Sequence, residues 1–187
     1  MTVKSLILIM LGGVLVNNYV FESYLGVGPF LGFSGKDGKA LRMGLAVTVA
    51  MFFTAAIAWP VQTYLLDGLG LGYLQTLVYA AIILAVVYLA ELIVKRTKLG
   101  TMGTLFPLTV LNSAVLGLAV NNAAEGYNFL EALLSALGAG LGFTLATLVF
   151  SGVLARIDTV HVPKAFRGLP VSLLAASIIS MALLAFK

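Results

Sequence analysis

The sequence predicts an all-α integral membrane protein with six transmembrane helices, arranged as two inverted three-helix repeats. Of the 187 residues, 61% are hydrophobic and only 10% are charged, and the mean hydropathy of +1.09 is far above that of soluble domains. The chain contains several apolar segments whose length is close to the roughly 20 residues that a helix needs to cross a bilayer. Basic residues cluster on alternate connections between these segments, as they do in multi-pass proteins.

The apolar segments follow one another closely, with short connections rich in Gly, Lys and Asp that leave no room for a soluble domain. The first apolar run has no cleavage site leading into a polar mature domain, so we interpret it as a retained span. The predicted spans are Ser5–Tyr24, Lys39–Leu66, Tyr73–Val94, Thr104–Val120, Phe129–Ala155 and Leu169–Phe186. We expect a single transmembrane domain over residues 1–187.

The distribution of basic residues predicts the orientation. Only Lys4 and Lys187 lie on the side of the termini, and the other nine of the eleven share the opposite side: Lys36, Lys39, Arg42, Lys95, Arg96, Lys98, Arg156, Lys164 and Arg167. By the positive-inside rule, both termini face away from the cytoplasm. We expect the protein to lie in a bacterial or archaeal cytoplasmic (inner) membrane. Its predicted surroundings are the lipid bilayer, and we expect no nucleic acid as a partner.

The first and fourth spans are both short and interrupted by Pro, Gly and Asn. Three spans per half make the second half enter the membrane from the opposite side, which predicts inverted repeats over about residues 1–98 and 99–187. Irregular backbone at membrane depth is tolerated only where protein or a cavity surrounds it. We therefore expect VNNYVFESYLGVGPFLG, Val16 to Gly32, to meet the segment Phe106–Asn122 at the pseudo-symmetry axis.

Polar residues in these broken spans are the candidate site residues. Asn17, Asn18 and Asn112 could coordinate an ion, line a pore or satisfy the free amides of a broken helix. Glu22 could carry a cation or a proton, or lie at the interface beside basic residues. No nucleophile–base pair, phosphate-binding loop or metal-ligand cluster is present in the sequence, so we predict no catalytic residue. These patterns alone support a transporter and a component of a complex equally.

The chain resembles the RnfA/NqrE-like family of membrane subunits in three stretches that occur in the same order as in the family. They are LVNNYVFESYLGVGPFLGFS, PLTVLNSAVLG and VPKAFRGLPVSLLAASIISMALLAF. The resemblance covers the whole chain. It implies an A-type subunit of an Rnf ion-translocating ferredoxin:NAD oxidoreductase, paired with an RnfE-like subunit in a complex with other Rnf-type subunits. It also implies coupling of this redox chemistry to Na⁺ or H⁺ translocation, within an inverted repeat whose broken helices meet at the centre.

The resemblance further implies a [2Fe–2S] cluster shared between the paired subunits, with one cysteine from each broken helix. At the matching positions this chain has Gly28 and Ser113, and it has no cysteine. Glycine has no ligating atom, and a serine hydroxyl is a poor replacement for a soft thiolate on iron. We therefore predict that this chain binds no cofactor alone and that a standard four-cysteine cluster does not form with it.

Three interpretations fit this departure from the family pattern. The chain is a divergent, non-catalytic A-type subunit of the translocase complex, a redox-inactive paralogue that transports a small solute or an ion, or an engineered cysteine-free variant. The closeness of the flanking motifs favours the first. In the second, Asn17, Glu22 and Asn112 would form the binding site of a transporter or channel.

Overall fold

The structure, a computed structural model, describes residues 3–16, 18–26, 39–96, 112–157 and 162–183. All regular secondary structure in these residues is helical, which confirms the predicted all-α class. The longer described α-helices are α1 (Val3–Leu11), α2 (Lys39–Pro60), α3 (Gln75–Arg96), α4 (Ser113–Ala124), α5 (Phe129–Arg156) and α6 (Leu169–Leu183).

Three of these helical stretches are long and apolar enough to cross a membrane: Ala40–Leu69, Gly72–Ile93 and Phe129–Arg156. Two shorter apolar helices, Ser113–Ala124 and Leu169–Ala182, accompany them among the described residues. The outer surface of the bundle carries many exposed large apolar side chains, such as Phe53, Leu77 and Ile178. Such a surface suits a lipid environment, so the membrane class predicted from composition is confirmed.

The central contact of the fold is the crossing of α2 and α5, which is built on a Gly-x-x-x-Thr pattern in each helix. A Cβ atom placed on Gly44 would lie 2.8 Å from the Cα of Thr144, and one placed on Gly140 would lie 2.7 Å from the Cα of Thr48. The two threonine hydroxyls are 3.2 Å apart. Because the residue numbers fall along one helix as they rise along the other, the helices are antiparallel. Small residues allow this close approach, which drives helix association in lipid.

A second face of α5 packs against α1. A Cβ on Gly138 would lie 2.5 Å from the carbonyl oxygen of Met10, and one on Gly142 would lie 2.6 Å from that of Gly13. Residues four apart share one face of a helix. Gly138 therefore faces α1, Gly142 faces the turn Gly12–Val16 that follows α1, and Gly140 faces α2. On the other side of the bundle, α4 packs against α2 and α3.

The observed helix bounds differ from the predicted spans at two places. A π-helical turn, Gly12–Val16, follows α1, and the helix ends there instead of continuing to Tyr24. The described part of the fourth span begins as a helix only at Ser113, and residues 104–111 lie outside the described residues. The second span continues past Pro60 to Leu66, as predicted, because π-helical turns over Val61–Leu66 replace α-helical turns after the proline, which has no backbone N–H to donate.

Candidate functional site

The break after α1 is stabilised by the side chain of Asn18, which is only 4% exposed. Its Nδ2 donates to the carbonyl oxygens of Gly142, at 2.9 Å, and Val14, at 3.2 Å. Its Oδ1 accepts from the backbone N–H groups of Val20, at 3.0 Å, and Phe21, at 3.4 Å. One side chain thus satisfies backbone groups that the interrupted helix leaves free, and it ties the break to α5.

The segment 18–26 is also held by α6. The hydroxyl of Ser180 donates to the carbonyl oxygen of Phe21 at 2.8 Å, and the Ser180 side chain is buried. Val20 and Phe21 are buried in the main apolar core. The irregular backbone of residues 18–26 is therefore enclosed by protein on several sides, as is required within a membrane, where no water is present to bond to free backbone groups.

Asn112 is the N-cap of α4, where the described part of the predicted fourth span begins. Its Oδ1 accepts from the backbone N–H of Ala114 at 3.0 Å, and the residue is 2% exposed. This bond satisfies one of the free donors at the start of a helix. The Nδ2 of Asn112 is buried and has no hydrogen-bond acceptor among the described residues.

The segment 18–26 meets the start of α4 at Gly26. The backbone N–H of Gly26 donates to the hydroxyl of Ser113 at 2.9 Å, although the two residues are 87 positions apart in the sequence. A Cβ on Gly26 would lie 2.6 Å from the Oδ1 of Asn112 and 2.8 Å from the ring of Phe143. Gly26 has a φ of +79°, a conformation that L side chains rarely adopt. The structure thus brings together the two broken segments that the sequence singled out.

Comparison with known proteins decides the family. The family model described as "Rnf-Nqr subunit, membrane protein" matches residues 6–187. The chain belongs to this family. The resemblance inferred from the three sequence stretches is therefore confirmed.

Relatives cover nearly the whole chain. The A subunit of a Na(+)-translocating ferredoxin:NAD(+) oxidoreductase complex from Acetobacterium woodii is 44% identical over 98% of this chain and 97% of the relative. The A subunit of an ion-translocating oxidoreductase complex from Syntrophotalea carbinolica is 41% identical over 98% of this chain and 96% of the relative. Its counterpart from Aliivibrio fischeri is 37% identical over 96% of this chain and 95% of the relative.

Within this Rnf-Nqr chain, the predicted site residues have different surroundings. Asn18 has its polar atoms bonded to backbone groups, which matches the structural role that the sequence left open for it. Glu22 is half-buried in the turn that follows, where its backbone N–H donates to the carbonyl oxygen of Asn18 at 2.8 Å. Asn17 and Gly28 lie outside the described residues. A role of Asn17, Glu22 or Asn112 in ion passage stays a prediction.

The donor atoms at the centre do not fit an iron–sulfur cluster held by thiolates. The chain has no cysteine, and among the described residues no group of three or more His, Cys, Asp and Glu side chains could hold a metal ion. The Ser113 hydroxyl, at a position where the resemblance implies a cysteine, accepts a hydrogen bond from the backbone N–H of Gly26. Oxygen is a harder ligand than the sulfur that iron–sulfur clusters require.

A second polar region, which was not predicted from the sequence, lies at the C-terminal end of α2. Gln62, Tyr79 and Asn122 converge there on a cavity of about 320 Å³. The sequence did contain a signal for this region, because amide side chains occur near the ends of otherwise apolar spans. Polar side chains within such spans often mark functional sites in membrane proteins. Only the tertiary structure shows that these residues, from three different helices, line the same space.

Proposed function

We propose that this chain is the A-type membrane subunit of an Rnf-type electron-transport complex that couples ferredoxin:NAD redox chemistry to the translocation of Na⁺ or H⁺. The observation that carries this proposal is the match to the family and to A-type relatives over almost the full length of both chains. The enclosed meeting of two broken helices supports it, because such breaks lie at the binding centres of inverted-repeat transporters.

Two inverted repeats, over about residues 1–98 and 99–187, explain the arrangement of the helices. Gly44 and Thr48 of α2 face Thr144 and Gly140 of α5, so each helix offers the same pair of residues to the other. In the same sense, α1 packs against α5 and α4 packs against α2. Reciprocal contacts between antiparallel elements are what a pseudo-two-fold axis in the membrane plane produces.

Within the complex, the chain pairs with an RnfE-like subunit, and it contacts other Rnf-type subunits. Ser113 is exposed at the start of α4, directly beside the meeting point of the two breaks. A partner subunit covering this face would shield the polar centre from lipid. Transfer of an unpaired polar group to hydrocarbon costs on the order of several kcal/mol. In this proposal, the ion passes at the interface between this chain and its partner subunit.

This chain contributes structure to that interface rather than a metal ligand. A [2Fe–2S] cluster supplies one-electron transfer where four suitable ligands hold it. Here Ser113 and Gly28 replace the two cysteines that the resemblance implies for this subunit, so we derive no electron-transfer step through this chain. Asn112, with its buried and unpartnered Nδ2 among the described residues, is the predicted ion-path residue best placed at the centre.

The proposed location is the cytoplasmic (inner) membrane, with both termini outside. Arg42 near the start of α2 and Arg156 at the end of α5 are exposed and lie at the same end of the antiparallel pair. That end carries the predicted cytoplasmic connections. Cationic side chains are favoured on the cytoplasmic face by the positive-inside rule.

Co-isolation tests the proposed membership of a complex. The chain would be tagged at its C-terminus, extracted from its native membrane in a mild detergent and analysed by mass spectrometry. We expect an E-type subunit in amounts comparable to the chain, together with the other Rnf-type subunits, and we expect none of them with a tagged, unrelated multi-pass protein. Recovery of the chain alone, or only as a homodimer, would favour the transporter interpretation instead.

A further inference from the structure

The cavity at the far end of α2 lies between α2, α3, α4 and the connection that leads into α5. It has a volume of about 320 Å³, and its polar lining comes from Trp59, Gln62, Thr63, Asp67, Tyr79, Asn122, Tyr127 and Asn128. None of the residues that line it is basic. Asp67 is exposed, whereas Tyr79 and Asn122 are buried, so the lining extends from the surface into the bundle.

A chain of hydrogen bonds orients the carboxylate at the surface. The Nε2 of Gln75 donates to the hydroxyl of Tyr79 at 3.3 Å, and this hydroxyl donates to the Oε1 of Gln62 at 2.8 Å. The Nε2 of Gln62 then donates to the Oδ1 of Asp67 at 2.7 Å. These donors come from neutral groups, so the negative charge of Asp67 is retained at the cavity.

The local field in this region favours positive charge. Burial raises the pKa of Tyr127, and the carboxylates of Glu125 and Glu131 raise it further by disfavouring a phenolate beside them. The carboxylates of Glu125 and Glu131 therefore lie close enough to Tyr127 to act on it, and Asp67 lines the cavity beside it. By contrast, Arg42 near the start of α2 and Arg156 at the end of α5 lie at the opposite end of the bundle.

Asn122 supplies a second oxygen inside the cavity. The residue is 7% exposed, and its Nδ2 donates to the carbonyl oxygen of Ala132 at 3.3 Å. Its Oδ1 is buried and accepts no hydrogen bond from any described residue. A buried acceptor without a hydrogen bond is unfavourable, so a bound ligand that meets this oxygen would be stabilised. A buried carbonyl oxygen and a nearby carboxylate are hard ligands, the kind that hard cations prefer.

We propose that this cavity binds Na⁺, partly hydrated, with Asp67 and Asn122 supplying oxygen ligands directly or through water. A volume of about 320 Å³ accommodates an ion with several waters, since each water occupies about 30 Å³ of liquid. The proposal rests on the proposed role in ion translocation, for which the cavity is the outer binding site. Gln62 and Tyr79 hold the Asp67 carboxylate in place and serve as positioning residues.

The sole tryptophan of the chain provides the test, because Trp59 lines the cavity and its Nε1 donates to the carbonyl oxygen of Tyr127 at 2.8 Å. The purified full chain in lipid nanodiscs would be titrated with NaCl, with choline chloride at equal ionic strength as the control. We expect a saturable change in tryptophan emission with Na⁺ only. A change of the same size with choline would overturn the proposal.

Two carboxylate variants separate a ligand from a general charge effect. Asp67→Asn removes a cavity carboxylate and is expected to raise the half-saturating Na⁺ concentration by about tenfold, which corresponds to about 1.4 kcal/mol. Glu125→Gln removes a charge from the same end of the bundle but outside the cavity lining, and we expect a change below about twofold. Equal shifts in the two variants would exclude Asp67 as a ligand.

A gain-of-affinity variant keeps the proposal testable if Asp67→Asn fails to fold, as judged by circular dichroism. Asn122→Asp retains an oxygen at the buried position and adds a negative charge, so we expect the half-saturating Na⁺ concentration to fall by about threefold or more. An unchanged or increased value would overturn the role of Asn122. Because the isolated chain is titrated, failure here leaves membership of the complex untouched, and failure of co-isolation leaves Na⁺ binding to the cavity intact.

Discussion

Replacing Gly140 by alanine is expected to destabilise the folded chain by about 1–3 kcal/mol, although alanine is the better helix former by about 1 kcal/mol. The added methyl group would lie 2.6 Å from the Cγ2 and 2.7 Å from the Cα of Thr48. The second of these atoms belongs to the backbone of α2, so no rotamer change relieves the contact. The helices must separate, and the hydroxyl contact between Thr48 and Thr144, now 3.2 Å, would lengthen.

The measurement is the free energy of unfolding in mixed micelles, titrated with a denaturing detergent. Gly152→Ala is the matched control, because Gly152 lies on the same helix and a Cβ there meets no atom within 4 Å. This control should be neutral or more stable by up to about 1 kcal/mol, through helix propensity alone. Equal stabilities of the two variants would contradict the close crossing of α2 and α5.

Gly26→Ala is expected to disrupt the meeting point of the two broken helices. Alanine at a φ of +79° carries a backbone penalty of about 1–2 kcal/mol. The methyl group would also lie 2.6 Å from the Oδ1 of Asn112, the atom that caps α4. Displacement of this cap costs about a further 1 kcal/mol. We expect both a loss of stability and, in the complex, a loss of redox-driven ion transport.

Gly70→Ala separates the two contributions. Gly70 has a φ of +67°, similar to that of Gly26, but a Cβ there meets no atom within 4 Å. The control therefore carries the backbone penalty without the steric contact. The difference in the free energy of unfolding between the two variants measures the contact with Asn112 and Phe143. A Gly26→Ala variant as stable as Gly70→Ala would show that the broken helices do not pack closely at this point.

The sequence predicted the elements whose signals are local. The apolar spans that became α2, α3 and α5 were placed within a few residues, since length and hydropathy determine them. The start of α5 at Phe129 was placed correctly, and the structure adds a capping box between Asn128 and Glu131 there. The break in the first span was predicted because Asn and Gly interrupt its apolar run, and Asn112 was singled out where α4 begins.

The partners of those residues could not be predicted, because they depend on distant parts of the chain. Asn18 bonds to the carbonyl oxygen of Gly142, 124 positions away, and this contact distinguishes helix-break stabilisation from ion coordination. The two Gly-x-x-x-Thr patterns are visible in the sequence, but only the structure shows that they face each other. Asn122 was passed over for the same reason, since its cavity is formed by helices far apart in sequence.

Cation uptake by inverted membrane vesicles tests the proposed function most directly. Vesicles from cells that carry the chain would be supplied with reduced ferredoxin and NAD⁺, and uptake of radioactive sodium and internal acidification would be followed together. We expect accumulation of Na⁺ or of H⁺ only when both redox partners are present, and its loss when the gene for this chain is deleted. Uptake that persists after deletion, or that proceeds without ferredoxin, would contradict a role in a redox-driven ion pump.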